Sequence, residues 1–274
     1  MKKVSIVIPT FNQADYLPAC VDHCLYQTYP YLEIIIVDGG SEDETKCYLA
    51  GLKEEIANRT CQPVAEMDSA GNLIRLESSV YPQNRELKIV TFLDDIGPTR
   101  TYNEGLGRVT GAYCTYVVGD DLPHPHMIEA LVACLESTGA DFVYSDMNVV
   151  DDGGRIVRQI RLPDYHFEKC LAKWYFLGVS HLYRSEWHQR VGLMDEAYQS
   201  ANDYDQYLRF AVAGAKFYHL PQIHYSVRFH GPDRKGGQHT PQRNLNLISE
   251  SKKCAYRARQ WLSACSPANP QGQT

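Results

Sequence analysis

The chain has 274 residues, 44% hydrophobic and 22% charged, the mix of an ordinary globular protein, which excludes disordered, collagen-like and disulfide-scaffold classes. Lys and Arg number 27 against 33 Asp and Glu, a formal charge of −6. An acidic surface argues against nucleic acid as the main partner, because duplex binding needs a basic face.

No stretch reaches the roughly 20 apolar residues of a membrane-spanning helix. Met1-Lys2-Lys3 leads straight into a short apolar run without a signal-peptide core, so a cytoplasmic location is expected. The nine cysteines are odd in number and scattered, which fits free thiols.

In chain order, Val4–Ile8 reads as a β-branched strand ended by Pro9. Leu17, Val21, Cys24 and Leu25 recur at helical spacing between Tyr16 and Gln27, and Glu33–Val37 is a second strand. Strands that read as unbroken apolar blocks are buried on both faces, so the sheet is expected to be parallel. Right-handed crossovers then bring strand C-termini to one edge, where open α/β sheets bind ligands. Ser41-Glu42-Asp43-Glu44 has the pattern of a capping box and predicts a helix from there to about Ala57.

Residues 58–86 are polar and irregular, with a hairpin expected between Val64–Met67 and Leu73–Leu76. A strand at Leu87–Leu93, a helix at Thr99–Arg108 and a strand at Ala112–Val118 follow, the last ending in Gly119-Asp120-Asp121. His126–Ser137 reads as helix and Asp141–Asp146 as strand. Beyond residue 147 the pattern loosens to a turn at Asp151–Gly154, a helix at Asp203–Gly214, a short strand at Lys216–Leu220, and a helix over residues 243–262 before a frayed tail.

Familiar phosphate-binding signatures are missing: no G-x-G-x-x-G follows the first strand, and there is no Walker-A lysine loop or G-x-S-x-G elbow. Cys20, His23 and Cys24 share a helix face but lack a second ligand pair at zinc-like spacing, which makes them core residues. What remains is a set of carboxylates at strand ends, Asp38 and Asp120-Asp121. Hard oxygen ligands there suit Mg²⁺ or Mn²⁺, and those in turn suit a diphosphate. The plainer reading of the Asp pair is a turn or a helix cap.

Val4 to Asn12, Gln27-Thr28-Tyr29 with Glu33 to Ser41, Gly97 to Gly105 with Gly111-Ala112-Tyr113, Gly119-Asp120-Asp121 with Pro125, Gly192 to Glu196, and Asn202 to Asp205 with Leu208-Arg209 stand in an order that resembles the family 2 inverting glycosyltransferases. The resemblance covers roughly residues 4–230. It implies an α/β fold of the GT-A type: a mostly parallel central sheet flanked by helices, with a Rossmann-like nucleotide-binding half fused to an acceptor-binding half. The halves would be residues 1–146 and 147–241 of one continuous domain, with a C-terminal helix and tail at 242–274.

The resemblance also implies roles. Pro9, Thr10 and Asn12 line the nucleotide pocket, and Asp38 hydrogen-bonds the base. Arg100 and Asn103 face the nucleotide-sugar, Asp120 binds the donor through a divalent metal, Mn²⁺ or Mg²⁺, and Asp121 orders the loop. His230 is a second metal ligand or a diphosphate contact, beside Arg228. Asp203 is the catalytic base, although its position at a helix start also suits a helix cap. Gly231–Gly237 would be a closing loop.

The donor would be a nucleoside-diphosphate sugar, commonly uridine-linked, and the acceptor a saccharide or lipid-linked hydroxyl in cell-surface polysaccharide synthesis. No nucleic acid and at most peripheral membrane association are expected. The chain departs from the pattern at Val118, which stands where the first acid of Asp-x-Asp belongs, and at residues 58–86, where the link is longer. The alternatives are a sugar-phosphate nucleotidyltransferase, against which Thr10–Tyr16 lacks a basic loop, and a non-catalytic binding module, which Val118 favours.

Overall fold

The computed structural model describes residues 1–57, 65–67, 73–75, 85–171, 177–230 and 241–265. Its first part alternates strand and helix: β1 (Val4–Thr10), α1 (Leu17–Leu25), β2 (Leu32–Asp38), α2 (Thr45–Ala57), the hairpin strands β3 (Ala65–Met67) and β4 (Leu73–Arg75), β5 (Arg85–Thr91), α3 (Pro98–Leu106) and β6 (Tyr113–Tyr116). Then come β7 (Leu122–Pro123), α4 (Met127–Thr138), β8 (Phe142–Val150), β9 (Ile156–Ile160), α5 (Phe167–Cys170), β10 (His181–Arg184), α6 (Trp187–Val191), α7 (Asn202–Val212), β11 (Phe217–Arg228) and α8 (Pro241–Cys265).

The main sheet has the order β5-β2-β1-β6-β10-β8-β11-β7, with β9 beside β8. Its first four strands are parallel, as are β8 and β11, while β10 runs antiparallel between β6 and β8. This is the expected α/β fold with a mostly parallel sheet. Every residue of β1 and β2 is buried, because helices cover both faces. Beyond β6 the core becomes aromatic: Phe142 stacks on His181 and Tyr183, and Tyr207 meets its edge.

Several element ends differ from the sequence reading. Pro9 does not end β1, which runs on to Thr10. The ladder with β6 stops at Val7–Tyr116, so the missing N–H of Pro9 costs no pairing there. The helix expected at Ser41 starts at Thr45, because Ser41 bonds back to Asp38 and the N–H of Thr45 is taken by Asp43 Oδ1. The short strand at Lys216–Leu220 extends through a bulge to Arg228, and Asp141–Asp146 is the first part of a strand that reaches Val150. The elements β7, β9, α5, β10 and α6 were not foreseen. The hairpin at 65–75 is present. Its turn, the Gly231–Gly237 loop and the C-terminal tail from 266 onward lie outside the described residues.

Away from the C-terminal edge of the strands, Glu33 is fully buried yet satisfied by Ser5 Oγ, Thr110 N, Thr110 Oγ1 and Lys88 Nζ. Burial alone would raise its pKa; these donors hold it below the ordinary carboxylate range. Cys20 and His23 are core residues as expected, donating to or facing the carbonyls of Val118 and Pro123. The cysteines among the described residues are free.

Candidate active site

Thr10 and Asp38, the last residues of β1 and β2, are register partners, and the N–H of Gly39 donates to the Thr10 carbonyl at 2.9 Å. Two loops are tied together just beyond them. The Asn12 N–H donates to Ser41 Oγ at 2.8 Å, and Asn12 Oδ1 accepts the Glu42 N–H at 2.8 Å. Asn12 does this at φ 52°, a left-handed conformation that Asn tolerates better than most residues. Asp38 is wholly buried. Its Oδ1 accepts from the N–H and hydroxyl of Ser41, whereas among the described residues its Oδ2 has no partner. A buried acceptor left unpaired in the free protein costs stability.

On the other side of β1 the chain leaves β6 at the same edge, where Val117 N donates to Val7 O at 2.8 Å. Gly119 then passes so close to Gln13 Oε1 and Thr10 Oγ1 that a Cβ would sit 2.5 and 3.1 Å from them. This close approach seats Asp120-Asp121 beside Thr10. Asp121 orders the loop, as expected: its Oδ1 accepts the Arg228 N–H at 2.8 Å and its Oδ2 the Tyr225 hydroxyl at 2.9 Å. Burial, and then Asp120 beside it, push its pKa up.

Asp120 is the meeting point of elements that are distant in sequence. Its Oδ2 lies 2.8 Å from His230 Nε2, and His230 Nδ1 lies 2.5 Å from Asp152 Oδ1. The His230 ring packs on Tyr16, its centroid 4.9 Å away. Arg228 stacks on the same tyrosine and donates to the carbonyls of Asp120, Asp151 and Asp152. Asp152 and Tyr16 were missed by sequence reasoning. The one trace of Asp152 was an acidic turn after a strand, read as a turn alone.

Asp203 enters from α7. It stands in the first turn of the helix rather than at the cap, which is Ala201. Its Oδ1 accepts the Tyr204 N–H at 2.7 Å, and the helix N-terminus favours its negative charge. Asn202 anchors this end of α7 to α3 through Thr99 Oγ1 at 3.0 Å, and Ile96 just before α3 donates to Gly39 O beside Asp38. The hydroxyls of Tyr116 and Tyr207 bond to each other. Burial and then the nearby charges, Asp203 among them, raise the pKa of both.

Asp38 thus ends β2 and Asp120 follows β6 at one edge of the sheet, and Asp203 stands in the first turn of α7, which Asn202 ties to α3. Arg100 is largely exposed and 3.9 Å from Glu104. Asn103 is engaged by the backbone of Met194 through both ends of its amide, tying α3 to the loop before α7.

The fold is that of the GT-A glycosyltransferases, as comparison with solved structures shows. TarS of S. aureus, solved in complex with UDP-GlcNAc, matches with a TM-score of 0.66 at 16% identity over 96% of this chain and 71% of that one. The mannosyltransferase PcManGT from Pyrobaculum calidifontis, in complex with GDP-Man and Mn²⁺, matches with a TM-score of 0.58 at 17% identity, covering 97% of this chain and 76% of that one.

In sequence, the family model described as Glycosyl transferase family 2 matches residues 5–61. The chondroitin synthase of Pasteurella multocida is 28% identical over 234 residues, 83% of this chain and 21% of that protein. The chain spans between about a fifth and three fifths of the curated relatives it matches. Within the GT-A class, the chain is thus similar to family 2 glycosyltransferases, through residues 5–61 for the family model and through most of its length for the relatives.

Proposed function

We propose that this chain transfers a sugar, with inversion at the anomeric carbon, from a uridine-diphosphate sugar to a hydroxyl of a saccharide or lipid-linked acceptor, in the assembly of a cell-surface polysaccharide at the cytoplasmic side of a membrane. The observation that supports the reading is the placement of Asp38 and Asp120 at strand ends on one sheet edge, with α7, which carries Asp203, tied to α3 beside it. Support comes from the UDP-GlcNAc bound by TarS and from the chondroitin synthase likeness.

Asp38 Oδ2, buried and without a partner among the described residues, suits the ring N–H of a uracil. Pro9, Thr10 and Asn12 shape the wall beside it, and Arg100 and Asn103 stand on the helix that follows. Asp203 takes the proton of the acceptor hydroxyl as its oxygen forms the new bond to the anomeric carbon. The bond from that carbon to the diphosphate breaks on the opposite face, so the configuration inverts and the nucleoside diphosphate leaves.

The neighbour PcManGT is shown with Mn²⁺. Among the described residues no group of three His, Cys, Asp or Glu side chains could enclose a metal. Asp120 and His230, 2.8 Å apart and buried, are the residues that would hold a Mn²⁺ or Mg²⁺ together with the donor's diphosphate. Such an ion would offset the charge of the leaving diphosphate.

Asp203→Asn tests the reading. General-base catalysis is worth roughly 10²–10⁴-fold, so the variant is expected to lose transfer by that factor while binding UDP-GlcNAc in calorimetry like the parent. Transfer at the parent rate removes Asp203 from the mechanism. Val118 favours the second reading, a non-catalytic module; turnover of any sugar nucleotide that Asp120→Ala abolishes would exclude it.

A further inference from the structure

The helix α8 presents two unlike faces. Its inner face is held to the body of the protein: Glu250 Oε2 accepts the N–H groups of Gln199, Ser200 and Ala201 at 3.1, 2.7 and 2.9 Å, and Arg257 pairs with Asp195 and Asp205. Cys254 and Ala258 are buried on the same side. The outer face carries Leu245, Ile248 and Tyr256, which are 61%, 54% and 63% exposed, interleaved with the exposed cations Lys252, Lys253 and Arg259.

Spacings of three and four residues from Leu245 through Ile248, Lys252 and Tyr256 to Arg259 align these along one stripe. Glu250 is the only acid in the helix and is turned inward, so no carboxylate of α8 offsets the cations. The cations stand out against a chain whose net charge is −6.

We infer that the outer face of α8 is a docking surface for an anionic phospholipid bilayer. Charge complementarity selects this occupant. A stripe of cations would repel a second copy of itself, whereas the negative potential of an anionic leaflet attracts each Lys or Arg near it. Leu, Ile and Tyr lying between the cations can sink to the level of the headgroups while the long basic stems reach back to the phosphates. The helix packs on α7, which carries Asp203. Docking would therefore hold the acceptor side of the molecule near the bilayer, but the inference itself does not depend on the proposed reaction.

Co-sedimentation of the whole chain with vesicles tests it. Binding is expected to phosphatidylcholine vesicles containing phosphatidylglycerol, not to phosphatidylcholine alone, and it should fall away at about 1 M salt, where screening shortens to about 3 Å. The combined Lys252→Glu, Lys253→Glu, Arg259→Glu variant should bind on the order of a hundredfold more weakly. Its melting temperature and UDP-GlcNAc affinity should match the parent's. Leu245→Gln with Ile248→Gln provides an independent second variant, also expected to weaken vesicle binding. No binding to the anionic vesicles, equal binding to both compositions, parent-like binding by the charge-reversed chain, or a dimer in light scattering that buries this face would each overturn the inference.

Discussion

At the scale of single residues, the buried oxygen of Asp38 matters most. Oδ1 is occupied by Ser41 and Oδ2 by nothing among the described residues, so the free protein carries the cost of an unmade bond that a ligand N–H would make good. Asp38→Asn keeps the acceptor for Ser41 but replaces the open oxygen with an NH₂ donor. Bonds to a charged group contribute about 1.5–3 kcal/mol, so UDP affinity measured by titration calorimetry should fall about tenfold or more, with little change in the melting temperature of the free protein. Unchanged affinity would remove Asp38 from the nucleotide site. The residue was legible in the sequence because a carboxylate directly after a buried strand has few places to point. Asp152 was not legible, since only folding carries that turn to His230.

At the scale of elements, the site depends on α3 lying tightly against β1. Gly105 permits this: a Cβ there would come 2.3 Å from Val7 Cγ1 and 3.2 Å from Val37 Cγ2. Gly105→Ala is expected to destabilise the protein by about 1–3 kcal/mol through overpacking. Gly51→Ala, in α2 with open space around it, should instead stabilise it by roughly 0.5–1 kcal/mol. Urea unfolding of both variants checks the pair. The elements that went unread share a cause. The β7 strand has two residues and β10 four, and β10 carries His181 and Tyr183 into an aromatic core. Neither is long enough to show a period, and each is held by its neighbours in the sheet.

For the molecule as a whole, buried histidines set the response to acid. Burial lowers the pKa of His181 to about 3 and, with nearby positive charge, that of His124 and His188 to about 4. The unfolded chain titrates these groups near pH 6.5, so below that pH it binds more protons than the native state and stability falls.

Asp195, held down by Arg257, and Glu33 and Asp146, held down by their hydrogen bonds against the effect of burial, have depressed pKa values. Their contribution is complete above the unfolded carboxylate range and is lost as pH drops through the folded values. The melting temperature should thus decline from about pH 6.5 and more steeply below about pH 4.5. His181→Phe should flatten the upper part of that decline, and a scan of melting temperature against pH checks both.

What the sequence determined alone was local: unbroken apolar strands that had to be buried on both faces, the helices between them, and acids placed just past strand ends. From these follow the parallel sheet and the edge where Thr10, Asp38 and Asp120 meet. The tertiary structure decided which distant groups join them. Arg228 and His230 reach Asp120 only because β11 pairs alongside β8 and β7, and the helix that carries Asp203 is set in place by the bonds of Asn202 to α3 and of Glu250 to the turn before α7. Periodicity carries the burial of a segment, but the partner of a polar side chain is fixed by contacts between segments a hundred residues apart, and no local pattern encodes them.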